Sequence, residues 1–495
     1  MVGMRRWFKD LDLGAWDNWL PLTVIAVFAS MGLLVALRVI TFPSTQQAER
    51  ILTIYIEVGI GATAGIFAII ASLSLVAIQF ASQEYSHRIM AFYIKSIMFW
   101  STIAVYLGLI ITSVLLVGMY TDKQDPRYAG AIIVGSVGAL TLLIPHFLIT
   151  AAFLRPEFII AKLLRRVDTP YLAFARRLLT ESKGRLDSQV DRLLPVVEIV
   201  ERAIHRGDLS TARAALDRLH TTYVTHAEGL NSLPIEEYFL DYLLRIGRKS
   251  VTADGLEEVA AQSVRIIGAV GSRGPAGANA VDDIRELGFA ALKQDLEPVV
   301  REMIDTLRLI FDRTSLPEAK AATLSCYQDL VEDLAAGEKP RLLRQAATNL
   351  AELAATTLEQ RETASTHRCQ ELLEAVGREA SSRRMHDVAL HVIGLLQRFG
   401  VAAAQRDPEV SERVVRSLLR IERSAGSGDR DLVAATEFAK GDVERELRRR
   451  WPVAESAAAA ATVAPFSDPP TPPLSVKPEA AGAPEFADLW REPED

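Results

Sequence analysis

The clearest chemical pattern in this sequence is a set of uncharged polar side chains on one face of a predicted helix. They recur three, four or seven positions apart, which places them on one side of an α-helix. Because amides and hydroxyls are unfavourable against lipid, this polar stripe should face other helices or water. It could bond neighbouring helices where the helix leaves the membrane, line a pore formed by several copies, or dock the soluble half. Its members are Ser72, Gln79, Ser82, Gln83 and Ser86.

Three ionisable residues also lie within or beside apolar sequence. Arg38 and Glu57 would lie at similar depth in a membrane, where a charge normally finds a partner. They either form an ion pair or extend separately to the interface. His146 follows Pro145, which would kink a helix. His146 is therefore either a hydrogen-bonded packing residue or a protonation site on a conduction path.

Residue types that carry catalysis are present without the spacing that catalysis needs. His386 and His391 are five apart and do not share a helical face, so no metal site is predicted. The glycine-rich segment 271–280 lacks a following Gly-Lys-Ser/Thr and is interpreted as a flexible loop. We find no nucleophile elbow or dinucleotide fingerprint, and predict neither an enzyme nor a cofactor. Two acid pairs are interpreted as solvated helix faces: Glu236-Glu237 and Asp282-Asp283.

Four apolar runs would have to position these groups. Each is long enough to cross a hydrocarbon core of about 30 Å as a helix. The first is too long for the apolar part of a signal peptide and has no convincing cleavage site, so we interpret it as an uncleaved span. The predicted spans are about 19–40, 56–81, 99–119 and 129–153.

Lys and Arg in the connecting segments predict the orientation of these spans. They are more frequent at the N-terminus, between spans two and three, and after span four, which places both termini in the cytoplasm at the inner membrane. The segment after span four could also contact anionic lipid headgroups. The candidate residues for that contact are Arg155, Lys162, Arg165 and Arg166.

The remainder of the chain has a different composition. The 495 residues are 49% hydrophobic and 24% charged with a net charge of −7, and no segment is basic enough to suggest nucleic acid as a partner. Stretches such as LLPVVEIVERAI and VVREMIDTLRLIF repeat apolar residues at helical spacing. We expect capping residues at Thr169, Ser315 and Asp407, and helix ends or junctions near the glycines Gly207, Gly337 and Gly400.

The segment that closes the second span resembles a known family. The run FAIIASLSLVAIQFASQEYSHRIMAFYIK (67–95) resembles a family of predicted bacterial integral membrane proteins of unknown function, with the match mainly over residues 57–120. His87 departs from the family, which usually has proline there. The resemblance implies an integral membrane protein and brings no activity. The matching residues are Leu75, Val76, Ala77, Gln79, Ala81, Ser82, Tyr85, Ser86 and Arg88.

Together these patterns predict an all-α protein. Residues 1–155 would form four transmembrane helices, 156–451 a multi-helix cytoplasmic domain, and 452–495 a disordered Ala/Pro-rich acidic tail. No fixed repeat period emerges, so an irregular α-solenoid and a compact bundle both remain open. We predict a membrane-anchored scaffold or regulatory module that binds membrane lipid and a cytoplasmic protein partner. The alternative is a homo-oligomeric channel or transporter lined by the polar stripe.

Overall fold

The computed structural model describes residues 60–84, 155–182, 186–425 and 429–451, together with isolated positions between 46 and 147. The first predicted span, much of the third, nearly all of the fourth and the tail 452–495 lie outside the described residues. Every regular element in the described part is helical and no strand occurs there. This confirms the all-α class for that part of the chain.

Helix α1 covers Ile60–Glu84 and overlaps the second predicted span. Its 25 residues correspond to about 37 Å of helix. One side packs against Tyr106, which belongs to the third predicted span, through Phe67 and Ile70. The rings of Phe67 and Tyr106 lie 6.5 Å apart. The segment is therefore helical, as the sequence predicted; whether it crosses a membrane stays a prediction.

Fourteen further α-helices follow from residue 156 onward, with a short π-helix (Tyr223–Ala227) and a 3₁₀ turn (Glu228–Leu230) after α5. They are α2 Pro156–Leu164, α3 Thr169–Glu181, α4 Leu194–His205, α5 Leu209–Thr222, α6 Leu233–Val251, α7 Glu257–Gly271, α8 Gly277–Lys293, α9 Glu297–Arg313, α10 Pro317–Ala336, α11 Pro340–Gln360, α12 Thr363–Ser382, α13 His386–Ala404, α14 Pro408–Ala425 and α15 Arg430–Arg450.

Helices α4–α15 form two stacked rows. The even-numbered helices contact one another in order from α4 to α14, and the odd-numbered helices do so from α5 to α15. From α6 onward each helix also contacts the next one in the chain. A helix therefore meets mainly neighbours one and two places away, which is the arrangement of an α-solenoid. This decides between the two architectures that the sequence left open.

The solenoid has a two-helix repeat that the sequence did not reveal. Its six pairs begin 39 to 46 residues apart, so a two-helix unit recurs but its period is not fixed, as the sequence indicated. Insertions of a few residues in the helices and turns hide this period from a search at constant spacing. The first helices of the pairs start at Leu194, Leu233, Gly277, Pro317, Thr363 and Pro408.

The helical periodicity of the sequence fixes which side of each helix enters the core. In α9 the buried residues include Val300, Ile304, Leu307 and Phe311, which recur at three- and four-residue steps. One continuous apolar core extends from Ile159 to Ala439 through all the repeats. Each pair buries its apolar side against the pairs before and after it.

Polar side chains bridge every step of both rows. Each bridge joins residues 37 to 46 positions apart and links one helix to the helix two places on. Along the even row the pairs are Glu201–Arg245, Arg248–Glu286, Arg285–Asp329, Gln328–Arg368 and Glu374–Arg420. Along the odd row they are Arg213–Glu258, Arg265–Glu302, Arg308–Glu352, Arg344–Asp387 and Gln397–Asp442.

Five helices end in the same turn. The first or second residue after the helix has a positive φ, and the next backbone N–H donates to a carbonyl five residues back at 2.8–3.0 Å, as in a Schellman motif. Only one of these turns has glycine at the left-handed position, although glycine adopts that conformation most readily. The left-handed residues are Gly207, Asp295, Glu338, Arg361 and Arg384.

The expected helix boundaries are confirmed in part. Asp407 accepts the backbone N–H of Glu409 at 3.0 Å, and Gly337 follows the last residue of α10. Thr169 is already helical, and the cap is Asp168, which accepts the backbone N–H of Tyr171. Ser315 does not cap α10; Leu316 precedes its first residue.

The expectation for Gly400 was wrong, because it lies inside α13. A Cβ atom at this position would come within 2.8 Å of the side chains of Val414 and Val443. The glycine therefore allows close packing of α13 against α14 and α15.

Among the described residues, one helix is long and apolar enough to cross a membrane by length and composition, and it is α13, His386–Ala404. It contacts α11, α12, α14 and α15, and 56% of its apolar stretch is buried. Its composition is that of a core helix surrounded by other helices. The apolar part of α1, Ala64–Val76, is shorter.

We predict that Arg384→Gly stabilises the solenoid, whereas Arg406→Gly does not. A left-handed conformation costs a residue with a Cβ atom about 1–2 kcal/mol, and glycine loses about 0.5–1 kcal/mol through the unfolded state. Arg384→Gly should therefore raise the free energy of unfolding by about 0.5–1 kcal/mol. Arg406 occupies the next inter-helix turn without a positive φ, and there the same change should destabilise. Thermal unfolding of the purified chain measures both, and equal effects would contradict the prediction.

Candidate functional site

The two members of the polar stripe whose side chains are described lie on the side of α1 away from its packed face. Ser72 and Gln79 are exposed, whereas Ile70 and Ser74 are buried. On a helix of 3.6 residues per turn, Ser72 and Gln79 lie roughly opposite the side that packs on Tyr106. Ser72 and Gln79 are therefore not part of that packed face, and their side chains are exposed on the surface of α1.

The remaining candidates from the membrane half are only partly described. Ser82 and Gln83 belong to α1, and their side chains lie outside the described part. Ser86, His146, Arg38 and Glu57 also lie outside the described residues. The hypotheses of a conduction path and of an Arg38–Glu57 ion pair therefore stay predictions.

The candidate headgroup contacts lie on and around α2. Arg155 immediately precedes this helix and is exposed, and Arg165 and Arg166 are exposed in the turn that follows it. Lys162 is half-buried in the last turn of the helix. The structure thus places three of the four cations on the surface at the start of the helical domain.

A buried cluster of tyrosines around Asp191 fixes this end of the domain. The Asp191 carboxylate accepts the hydroxyls of Tyr238 at 2.5 Å and of Tyr242, and also the backbone N–H groups of Leu193 and Leu194 at the start of α4. Burial raises the pKa of both tyrosines well above the ordinary value, and the adjacent carboxylate adds to the shift. These bonds join α6 to the start of α4.

Tyr171 extends this cluster to α3. Its hydroxyl accepts the backbone N–H of Arg192 at 3.1 Å and lies 3.4 Å from the hydroxyl of Tyr238. The Arg192 guanidinium lies 4.4 Å from the centre of the Tyr171 ring and donates to the carbonyl of Arg166. Helix α3 and the turn before it are therefore held in a fixed position on the solenoid.

An open polar cleft of about 660 Å³ lies between the C-terminal ends of α4 and α6. Its lining carries both signs of charge, so it suits a polar or zwitterionic segment better than an apolar ligand. The Glu201–Arg245 bridge holds one wall of the cleft against the neighbouring repeat. The charged and histidine lining residues are Glu198, Glu201, Arg202, His205, Lys249 and Asp254.

Glu236 contradicts the interpretation of its acid pair as a solvated face. Its side chain on α6 is 1% exposed, and its Oε2 accepts the backbone N–H of Ala276 at 2.8 Å in the turn between α7 and α8. A Cβ atom on Gly274 would lie 1.8 Å from Oε1 of Glu236, so this glycine leaves room for the carboxyl group. Burial raises the pKa of Glu236 to about 7. Of the segment 271–280, residues 272–276 thus form a turn closed over a buried acid, and the residues from Gly277 onward belong to α8.

The second acid pair, Asp282-Asp283, also has one exposed member and one that is less exposed. Asp282 is exposed, as expected, whereas Asp283 is half-buried. Burial raises the pKa of Asp283 to about 7, and the nearby carboxylate of Glu286 adds to the shift while Arg248 opposes it. Glu237, next to Glu236, is exposed and accepts the side-chain amide of Asn279 at 2.8 Å.

Two histidines and both cysteines of the solenoid take structural positions. His386 Nδ1 lies 2.8 Å from Oδ2 of Asp429, and His391 Nε2 lies 2.9 Å from the hydroxyl of Thr348. Cys326 and Cys369 are buried, which raises the pKa of both thiols to about 12. No group of three or more metal-ligating side chains is placed to hold an ion in the part of the chain that the structure describes.

No family model and no curated protein matches this chain. Among solved structures, one similar chain is a circular tandem repeat protein with a novel repeat topology and enhanced subunit contact surfaces, at 15% identity over 87% of this chain and 99% of that one, with a TM-score of 0.26. Another comes from the computational design of self-assembling cyclic protein homooligomers, at 13% identity over 61% and 98% of the two chains, with a TM-score of 0.13. Both scores are too low to carry an argument, and the resemblance of residues 57–120 to a bacterial membrane family stays a prediction.

We predict that Asp191→Ala destabilises the solenoid by about 3 kcal/mol or more. The change removes the acceptor of two tyrosine hydroxyls and two backbone N–H groups, and leaves buried donors without a partner. The control is Asp187→Ala, whose exposed carboxylate accepts one backbone N–H from Gln189. That change should cost less than 1 kcal/mol. Chemical denaturation of the two variants that gave equal losses would contradict the proposed anchoring role.

Glu236 predicts a pH dependence of stability. In the unfolded chain this carboxyl titrates near 4.5, whereas in the folded protein it titrates near 7, so the folded state binds the proton more tightly. Its contribution to stability is therefore fully present below about pH 4.5 and is lost as pH rises to about 7, by about 2–3 kcal/mol.

Glu236→Gln should remove this contribution to the pH dependence, because a neutral amide does not titrate. Relative to wild type, the variant should be more stable at pH 8 than at pH 5. Glu237→Gln, on the exposed neighbour, should follow wild type at both values. The measurement is the denaturation midpoint at each pH, and a Glu236→Gln curve parallel to wild type would contradict the prediction.

Proposed function

We propose that this chain is a membrane-anchored scaffold. The apolar N-terminal part holds it in the inner membrane through four spans, with both termini in the cytoplasm. Its solenoid holds a protein or lipid partner at the membrane surface. The observation that carries the proposal is that exposed apolar side chains are concentrated in the N-terminal part of the described chain, whereas the solenoid carries a charged surface.

What supports the anchor is the distribution of exposed apolar side chains. Eleven of the seventeen large apolar residues exposed in the described part lie between Ile54 and Phe147, although this region supplies few of the described residues. A soluble monomer rarely exposes a large apolar surface, whereas a lipid-facing helix must do so. Examples on α1 are Ile69, Leu75 and Val76, each more than half exposed.

What supports the scaffold is the form of the helical domain. A solenoid offers an extended surface whose turns and helix faces repeat, and such surfaces commonly bind partners. Fold alone does not assign a function, and the specific feature here is the charged cleft between α4 and α6. We place the partner there, with Arg202 and Lys249 as its candidate contacts.

A channel or transporter is the second candidate. The observation in its favour is that Ser72 and Gln79 are exposed on the side of α1 that does not pack on Tyr106. Several copies that brought these faces together would surround a polar path. Four spans from one chain enclose little space, so this function requires a homo-oligomer.

We expect the chain to resist carbonate extraction from membranes and to be crosslinked to a specific partner through the cleft. Lys249→Glu should weaken this crosslinking several-fold because it reverses a cleft charge, whereas Lys293→Glu, an exposed lysine at the end of α8, should not. Purified chain in liposomes should show no ion flux. If ion flux is observed and Gln79→Leu abolishes it without unfolding the protein, the channel is supported instead. If carbonate extracts the chain from membranes, the proposed anchor is contradicted.

A further inference from the structure

We propose that helix α3 and its neighbours form a surface that rests on an anionic lipid bilayer, with Phe174 inserted at the depth of the headgroups. This inference rests on the proposed membrane anchor and adds to it a second, peripheral contact. The ligand is the anionic headgroup layer, and the contact is made by the folded domain after the last span.

The buried residues of α3 show which side of this helix points away from the domain. Tyr171, Leu172, Ala175 and Leu179 are buried and pack on the domain, so the opposite side points away from it. Phe174 lies on that outward side and is 51% exposed. Exposing about half of a phenylalanine side chain to water is unfavourable, and insertion into a bilayer interface would remove that exposure.

Two further apolar side chains lie exposed on elements that contact α3. The π-helix carries Val224, 39% exposed, and the start of α6 carries Leu233, 41% exposed. Helix α3 contacts both elements, and the hydroxyl of Thr169 lies 3.4 Å from Nδ1 of His226 in the π-helix. The exposed apolar residues at this end of the solenoid therefore belong to adjoining elements.

The charges around this surface fit an anionic partner. Residues 155–181 carry six Arg and Lys and three Asp and Glu, and one of the acids, Asp168, accepts the N–H of Tyr171. Arg177 lies one turn from Phe174 on the same outward side and is exposed, as are Arg165 and Arg166 in the preceding turn. Each cation near an anionic membrane is attracted to its headgroups, so these three cations act together with the inserted ring.

The tyrosine cluster keeps this surface in one orientation. Tyr171 lies on the buried side of α3 and bonds to Arg192 and to Tyr238 on α6, as described above. Phe174 is three residues further along the same helix, so its direction relative to the solenoid is fixed. A rigid surface of this kind needs no folding on contact with lipid.

The test places a fluorescent label at Phe174→Cys in the full chain. Cys326 and Cys369 are 1% and 0% exposed, so a maleimide probe should react at the new cysteine alone. The matched control is Phe438→Cys on α15, because Phe438 is 64% exposed at the opposite end of the solenoid. Both labelled chains are reconstituted in bilayers of phosphatidylcholine with or without phosphatidylglycerol, containing a nitroxide-labelled lipid.

We expect the probe at 174 to shift to the blue and to be quenched by the nitroxide in anionic bilayers, and the probe at 438 to stay in water. Replacing Arg165, Arg166 and Arg177 together with glutamine should reduce the quenching at 174 at least tenfold. These four positions are on the surface, so the variants should fold, which circular dichroism checks.

Three results would overturn the inference. One is a chain that resists carbonate extraction while the probe at 174 remains in water; the anchor would then stand alone. The second is equal quenching in neutral and anionic bilayers. The third is a shift at 174 that needs an added protein and no anionic lipid. If carbonate instead extracts the chain, the proposed function fails together with the inference.

Discussion

The helical domain depends on one interaction, the burial of each helix pair against the next. No pair in the solenoid closes its own apolar side, since the core passes without a break from Ile159 to Ala439. Because contacts reach mainly one and two helices along the chain, stability is set by successive interfaces and not by a central core. Polar bridges at every step then fix the register, although exposed pairs add less than about 1 kcal/mol each.

The sequence predicts the local part of this arrangement and leaves open whether the helices form a repeat. Helices follow from apolar spacing within one segment, as in VVREMIDTLRLIF, which became α9. The repeat is conserved in geometry and not in residue type: the same left-handed turn is made by Gly207, Asp295 and Arg384. Glycine is the usual signal of such a turn in a sequence, so most of these junctions carry no clear signal.

The buried acid Glu236 shows why a sequence does not reveal contacts between residues that are far apart along the chain. Glu236 stands beside Glu237, and a pair of acids ordinarily marks a solvated face. Its position did carry a signal, because Phe239, Leu240 and Leu243 follow it at helical spacing and are buried. What could not be predicted is the partner, since the Ala276 N–H that binds it comes from a turn forty residues later.

The two kinds of apolar surface impose different requirements on the chain. In the solenoid apolar side chains face one another, whereas those of α1 remain exposed on much of its surface. Exposed apolar area of that extent marks a surface that meets lipid or another protein surface. In either environment α2 and α3 are the first helices to follow, and Asp191 and its tyrosines hold α3 on the solenoid. Each later helix contacts mainly the helices one and two places away. The orientation of the N-terminal end of the solenoid therefore sets the orientation of every repeat that follows.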